Sequence, residues 1–416
     1  MVLQKDLLES IVGSIEANEE LLFQISKFIH AHPEPNYQEF SSSKHLASEL
    51  VKLGYEVEYP YSGLQTAFNA SITGGLGSGS TVAILAEFDA LAVTMPDGTS
   101  PVVHACGHNL NATAAIGAAI AMKSIIQKIP GTVRIIGTPA EEGGGGKVAL
   151  LEAGAFKDVD AILIVHGDQR DWYTVARACT ASDFFRVTFL GKSASDGYSK
   201  NYVNSMDAVA LFLHALLVLD TRLTSDSLVQ RRLASDAHAI NSIPIKSEVE
   251  VQIRSGDENY LETLKQSVIA AAEGAAKSVG AIAKIEQTGY RYERIIENRT
   301  LEAVAKSNIE QLGHPFTQDE PSPYPFGTDT GNLSHHIPTV QFLIGRPEGF
   351  KFHSPEAVQQ SISASAQAMM IEAAKILALT AASLLLYPET VKTARKELDG
   401  YAAVGFDGLY SWHKKS

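Results

Sequence analysis

Three apolar segments, each running straight into ligand-type side chains, constrain this chain more than any other feature. The first, Thr81 to Glu87, continues as Phe88-Asp89-Ala90-Leu91. The second, Thr132 to Thr138, leads into Pro139-Ala140-Glu141-Glu142 and the run Gly143 to Gly146. The third, Ala161 to Val165, ends in His166-Gly167. Short apolar runs bounded by turn residues read as buried strands. Helical patterns follow the first two, a small-residue stretch from Leu110 to Ile126 and a shorter one from Lys147 to Ala153. Repeated strand–turn–helix units predict a three-layer α/β domain. The carboxyl ends of its strands would face the crevice where open sheets of this kind bind ligands.

The rest of the chain arranges itself around these units. Leu7, Leu8, Ile11 and Ile15, then Leu21, Leu22, Ile25 and Ile29, recur at helical spacing until His32-Pro33 stops the pattern. A helix from Ser42 to Leu53 and strands at Glu56 to Tyr59 and Thr66 to Ile72 follow, with Gly74 to Gly79 read as a hairpin-type loop. After Cys179 the style changes. Strands at Asp183 to Leu190, Glu248 to Ile253 and Ala283 to Arg294 alternate with helices at Met206 to Leu219 and Tyr260 to Val279, an α+β insertion. From Thr300 the α/β style resumes with a strand at Thr339 to Ile344. His353-Ser354-Pro355-Glu356 then opens the long final helix, with Ser354 as N-cap and Pro355 at its first position. The tail after Pro388 reads as peripheral.

A length of 416 residues implies about two or three domains. A net charge of -13 argues against nucleic acid or an anionic membrane as partner. Two cysteines, Cys106 and Cys179, make a disulfide framework improbable and fit a reducing, cytoplasmic setting. Met1 to Glu20 has no secretory apolar core, and the stretch Ile376 to Leu386 is too short to span a bilayer.

His104-Ala105-Cys106-Gly107-His108-Asn109 places a thiol and two imidazoles on one glycine-containing turn. These are donors that zinc and its neighbours prefer. Alone, the stretch reads equally as a buried thiol with ordinary polar neighbours. Adjacent glutamates at the end of an apolar strand are costly to hold together unless a cation or full solvation relieves them. With a cation, one of Glu141 and Glu142 can ligate while the other takes a proton from activated water; without one, both are solvated loop carboxylates. Gly143 to Gly146 lacks the spacing of a phosphate cradle and serves better as a tight turn. The joint occurrence of these donors at strand ends and helix starts is what points to a metal site.

The motifs together resemble the dinuclear-metal hydrolases that include aminoacylase, hippurate hydrolase, auxin-conjugate amidohydrolases and p-aminobenzoyl-glutamate hydrolase. The matching segments run through the chain in the family's order. They are Ile29 to Glu34, Asp89-Ala90-Leu91, His104 to Asn109, Gly137 to Gly146, Gly191 to Ala194, Asn241 to Pro244, Gly327 to Asn332 and His353 to Glu356. The branch it is most similar to is the dipeptidase-like and p-aminobenzoyl-glutamate hydrolase-like one. The resemblance implies a three-layer catalytic domain with a mixed sheet, residues 1–181 and 292–416, and an inserted α+β lid and dimerisation domain, residues 182–291. It implies two divalent metal ions, zinc or manganese, on Cys106, His108, Glu142, His166 and His353, with Glu141 as general base. Asp89 and His104 would orient ligands. Asn241, Arg254, Thr328 and Asp329 would meet the substrate, Arg254 by pairing with a carboxylate. The implied substrate is a small-molecule amide, an N-acyl amino acid or a small dipeptide, and the implied assembly is a homodimer through the lid.

Two departures bear on activity. Ser195 stands where the family usually places a lid histidine that helps hold the oxyanion, and loss of one such donor costs roughly 10²–10³ in rate. The loop Ala92 to Val103 is longer than in the relatives and lacks their proline after Asp-Ala-Leu. Three functions are therefore compatible with the chain: a metal-dependent amidohydrolase, the same site joining a carboxylic acid to an amino acid, or a catalytically impaired metal-binding partner protein.

Overall fold

The structure, a computed structural model, describes residues 3–193, 202–234, 242–318, 326–346 and 348–404. The chain divides into two units. One comprises Met1–Arg177, Ile295–Ser322 and Asn332–Ser416, the other Ala178–Arg294 and Pro323–Gly331.

The first unit is built on strands β1 (Glu56–Glu58), β2 (Phe68–Thr73), β3 (Thr81–Ala86), β6 (Thr132–Gly137), β7 (Ala161–Gly167), β8 (Tyr173–Val175) and β13 (Thr339–Ile344), with a small hairpin of β4 (Leu91–Ala92) and β5 (Val102–Val103). Seven of these form one sheet in the order β1-β2-β6-β3-β7-β13-β8. Its centre is parallel, β6 with β3, β3 with β7 and β7 with β13, and its flanks are antiparallel, so the sheet is mixed. Alternation along the strands makes the three layers. Val82, Ile84 and Ala86 of β3 face one apolar core together with Val133, Ile135 and Leu163. Ala83 and Leu85 face the other, with Ile136, Ile162, Ile164, Leu150 and Phe156.

The helix His108–Ile125 lies in the first of these cores, buried at every position from His108 to Met122. Its small residues allow a close crossing with the helix Ala364–Leu386: a Cβ on Gly117 would stand 2.7 Å from that of Ala374. Both helices are long and apolar enough to cross a membrane, but each is 89% buried inside the fold, as core helices are.

Several details differ from the sequence expectations. Ser354 and Pro355 open only the short helix Pro355–Gln360, and the long helix Ala364–Leu386 starts separately from its own N-cap, Ser363. The N-terminal helical pattern is two helices, Lys5–Glu16 and Glu19–Ala31. Gly74 to Gly79 is not a hairpin, because β6 lies between β2 and β3. The loop instead crosses over, with Gly74 N–H donating to Gly131 O and Gly75 N–H to Ile126 O. Ala92 to Val103 carries its own hairpin. The tail is not peripheral: the helix Pro388–Val404 buries Val391, Ala394 and Leu398, and its Ala394 carbonyl accepts from Asn298 Nδ2. Three apolar residues at helical spacing were the signal for it.

The second unit has an antiparallel sheet of β9 (Ala181–Leu190), β10 (Leu228–Leu233), β11 (Lys246–Ser255) and β12 (Ile282–Gln287), in the order β10-β11-β9-β12. Strict alternation along β11 buries Val249, Val251 and Ile253 against Phe212 and Leu216 of the helix Ser205–Asp220 and Leu264 and Val268 of the helix Glu258–Val279. The first of these helices leaves Leu211, Leu217 and Val218 exposed, and the edge strand β10 leaves Leu228 and Leu233 exposed. The strand expected to reach Arg294 stops at Gln287.

Candidate metal centre

Register brings the ligand-bearing strand ends together. Ala86 of β3 is level with Gly137 of β6, and Ile84 of β3 with Leu163 of β7. The segments beyond β3 and β6, Glu87 to Asp89 and Glu141-Glu142, therefore leave the sheet beside one another, and His166 sits near the end of the adjacent β7. The Cys106-Gly107-His108 turn enters beside them, with Gly107 at φ 85 as the N-cap of the long buried helix. Two non-glycine residues at the site are held in the left-handed region, Ala140 at φ 60 directly before the glutamates and His353 at φ 57. Such backbone persists only where the surroundings over-determine it. Here the Ala140 carbonyl accepts from Gly144 and Gly145, its N–H donates to Glu39 Oε1 at 2.9 Å, and His353 N–H donates to Ala105 O at 2.8 Å.

Within the first unit, three sets of ligand atoms lie within 4.8 Å of one another: Cys106, His108 and His166; Cys106, Glu142 and His353; and His108, Glu141 and Glu142. The hydrogen bonds show which ring nitrogens are turned to the centre. His108 Nδ1 faces only acceptors, Asp89 Oδ1 at 2.9 Å and Asp89 O at 3.1 Å, so it carries a proton and leaves Nε2 as the atom available to a cation. His166 Nδ1 donates to Gly167 O at 2.8 Å, and its Nε2 is 3.3 Å from Cys106 Sγ. Asp89 also accepts from the Glu142 backbone N–H through Oδ2 at 2.8 Å, tying two ligand-bearing turns to one buried carboxylate. Glu142 Oε1 stands 3.3 Å from His353 Nε2.

The donor set fits divalent cations. His108 Nε2 and Glu142 Oε1 are buried without a hydrogen bond, which is costly unless something else satisfies them. Electrostatics point the same way. Burial pushes the His166 imidazole down, but the Cys106 thiol and Glu87 lift it to about 9. Burial is likewise outweighed at His108, which Asp89 and Cys106 hold well above its usual range. The Glu142 carboxylate, against burial, lifts His353 to about 11. In return, burial and Glu142 raise the Cys106 thiol while His166, His108 and His353 bring it down to about 6. Glu142, raised by burial, is drawn to about 2 by His353 and His108. A cluster that gathers protons onto its imidazoles gathers positive charge of any kind.

His104 is buried outside the three ligand sets, 6.3 Å from the His30 ring centre, and burial together with His108 and His30 pushes it down to about 3. Arg254 lies on β11 opposite Leu228 and Ser182, and Thr328 and Asp329 are buried, all within the second unit. Asn241 and Ser195 lie outside the described residues. Sequence reasoning missed Lys147, which is fully buried and paired with Glu87, and Asn111, whose side chain bonds Glu87. No local signal marked Lys147, one of two charged residues in the helix Gly146–Glu152. It also missed Glu39, which accepts from Tyr37 N–H, Ala140 N–H and Thr66 Oγ1 and so braces the strained turn.

Comparison with known proteins agrees with this geometry. The profile of peptidase family M20/M25/M40 matches residues 84–379. The chain is 30% identical to the Xaa-Arg dipeptidase of Mus musculus over 400 residues, 92% of this chain and 90% of that one. It is 28% identical to one of the chains of the p-aminobenzoyl-glutamate hydrolase of Escherichia coli K12, over 94% and 95% of the two sequences. The crystal structure of a dinuclear metal-binding M20-family peptidase from Bacillus subtilis shares the fold, with a TM-score of 0.60, 23% identity and coverage of 88% and 99%. On the span of the profile match and the near full-length identity to the mouse enzyme, the chain belongs to peptidase family M20/M25/M40.

Proposed function

We propose that this protein is a metal-dependent amidohydrolase that cleaves the amide of an N-acyl amino acid or a small dipeptide. The observation that carries the reading is the convergence of Cys106, His108, Glu142, His166 and His353 around His108 Nε2 and Glu142 Oε1, with Glu141 beside them. Those five residues would hold two divalent cations, zinc or manganese. When bound, the cations supply Lewis-acid polarisation of the amide carbonyl and of the attacking water. Glu141 takes the proton from that water as its oxygen attacks the carbonyl carbon, then delivers it to the amine nitrogen as the C–N bond breaks. Asp89 keeps His108 in the tautomer that ligates. The names of the mouse and Escherichia coli relatives both describe an acyl group joined to an amino acid, which is the bond this chemistry would open. The roles of Asn241, Arg254, Thr328 and Asp329 in substrate binding, and of His104 in orienting ligands, rest on the resemblance of their motifs.

A homodimer through the second unit belongs to the same reading. An edge strand exposing Leu228 and Leu233 and a helix exposing Leu211, Leu217 and Val218 are apolar surface suited to a second copy. So does a cytoplasmic location, supported by two buried cysteines that are not joined in a disulfide. The test is turnover of a panel of N-acyl amino acids and Xaa-Arg dipeptides, with and without chelator, by the wild type and by Glu141→Gln. Chelator-sensitive hydrolysis, with the variant slower by roughly 10²–10⁴ but still loading metal, is the expected result. Near-wild-type rates in the variant would remove Glu141 from the proton transfer.

A further inference from the structure

Behind the metal ligands sits a buried ion pair that the hydrolytic chemistry does not use. Lys147, with no exposed surface, lies in the first turn of the helix Gly146–Glu152 and brings Nζ to 2.6 Å from Glu87 Oε1. Glu87 is 1% exposed. Its other oxygen, Oε2, accepts from Asn111 Nδ2 at 2.8 Å and stands 3.7 Å from His108 Nε2, nearer than Glu141 Oε2 at 3.9 Å. The Glu87 backbone N–H donates to Asn111 Oδ1 at 2.9 Å, and Asn111 Nδ2 also donates to the Val165 carbonyl, next to His166. Glu87 is thus fastened between the ends of β3 and β7 and borders the ligating atom of His108.

A buried ion pair is seldom a net gain in stability over well-packed apolar residues, so its presence calls for another reason. The charges supply one. The carboxylates of Glu87, Asp89, Glu141 and Glu142 and the thiol of Cys106 crowd acidic groups round the centre, and the Lys147 ammonium offsets the one it touches, Glu87. We propose that Lys147 is a positioning residue of the metal centre: by ion-pairing Glu87 from behind, it keeps that carboxylate from turning onto the cation beside His108. The proposal rests on the two-cation reading above.

Without the ammonium, Glu87 becomes an unpaired buried anion beside His108. It then turns toward the cation as an extra ligand, strengthening the hold on metal and blunting its Lewis acidity. A lysine that merely packs would move metal affinity the other way or not at all. The experiment titrates Mn2+ into chelator-treated full-length protein, by competition with a fluorescent chelator, for the wild type, Lys147→Met, Lys147→Arg and the double variant Glu87→Gln/Lys147→Met. Kinetics are measured alongside. Lys147→Met should bind Mn2+ about tenfold more tightly, while kcat falls by about tenfold or more and KM stays within about twofold. Lys147→Arg, which keeps the charge, and the double variant, which removes both charges, should return Mn2+ affinity to within about threefold of the wild type. If Lys147→Met fails to fold, the double variant and Lys147→Arg carry the test, and altered affinity in either overturns the proposal. Unchanged or weaker Mn2+ binding in folded Lys147→Met also overturns it. Absence of Mn2+ binding in the wild type would overturn the metal reading and this role together.

Discussion

Asp89→Asn isolates the contribution of a single buried carboxylate. Asp89 is 1% exposed, and each of its oxygens receives an N–H: His108 Nδ1 at 2.9 Å and the Glu142 backbone at 2.8 Å. An asparagine has one oxygen. The backbone N–H can only donate, so the oxygen stays with Glu142 and the new NH2 faces His108 Nδ1. Two opposed buried donors would cost about 1–3 kcal/mol. The imidazole escapes that cost by moving its proton to Nε2 and accepting at Nδ1. The exchange spares the fold and removes the lone pair from the ligating nitrogen. Metal-free stability should therefore drop by no more than about 1–3 kcal/mol. Cation affinity should fall by about 10–100-fold, the usual consequence of disturbing a ligand's hydrogen-bond partner, which is roughly 1.4–2.7 kcal/mol of binding. Zinc affinity by competition with a chromophoric chelator, paired with urea unfolding of the chelator-treated protein, reads the two quantities separately. Zinc binding within twofold of the wild type would refute the assignment of His108 Nε2 as a ligand oriented by Asp89.

Three further outcomes are expected. Cys106→Ala removes a donor common to two of the ligand sets and should lower bound metal per chain on size-exclusion followed by elemental analysis; unchanged stoichiometry would count against ligation by the thiol. Glu39, raised from 4.5 to about 7 by burial and by Asp89, is more easily protonated in the folded chain than in the unfolded one. Its stabilising contribution is complete below about pH 4.5 and is lost as pH rises through about 7, on the order of 3 kcal/mol. Chelator-treated Glu39→Gln should show a flatter stability profile between pH 5 and 7.5 by urea titration at ~0.5-unit steps, and a profile parallel to wild type would exclude Glu39 as the titrating group. Gly117→Ala puts a Cβ 2.7 Å from that of Ala374 and should cost about 1–3 kcal/mol by thermal or urea unfolding, whereas a stabilised variant would show that the two core helices part more freely than their packing indicates.

Much of the site was legible before any coordinates. Strand-end carboxylates and histidines announce themselves because an apolar run ending in a charged residue is rare without a cause, and Ser354 and Pro355 begin their helix as their types require, Ser354 accepting from Ala357 N–H at 3.3 Å. The strand-end position of Asp89 was also readable, and there it accepts from His108 Nδ1 and the Glu142 N–H. Lys147 was not, since one lysine in a short helix is indistinguishable in sequence from a solvated one. Glu39 stood far from every motif, and nothing local marks it as the brace of Ala140. Gly74 to Gly79 misled because a loop between two strand patterns carries no record of whether those strands pair.

That contrast marks the division of labour in this protein. The period of the apolar residues and the chemistry of the side chains at the ends of the runs determined, by themselves, that the chain makes an α/β layer with an α+β insertion and that it carries the donors of a metal site. Such features are local, set within a few residues by backbone geometry and burial. Which strand ends become neighbours, that β6 lies between β2 and β3, that Glu87 meets Lys147, and that Ala140 and His353 are held in the left-handed region were decided only by the folded whole. These depend on contacts between segments distant along the chain, and the energy that selects among such pairings comes from packing the complete core.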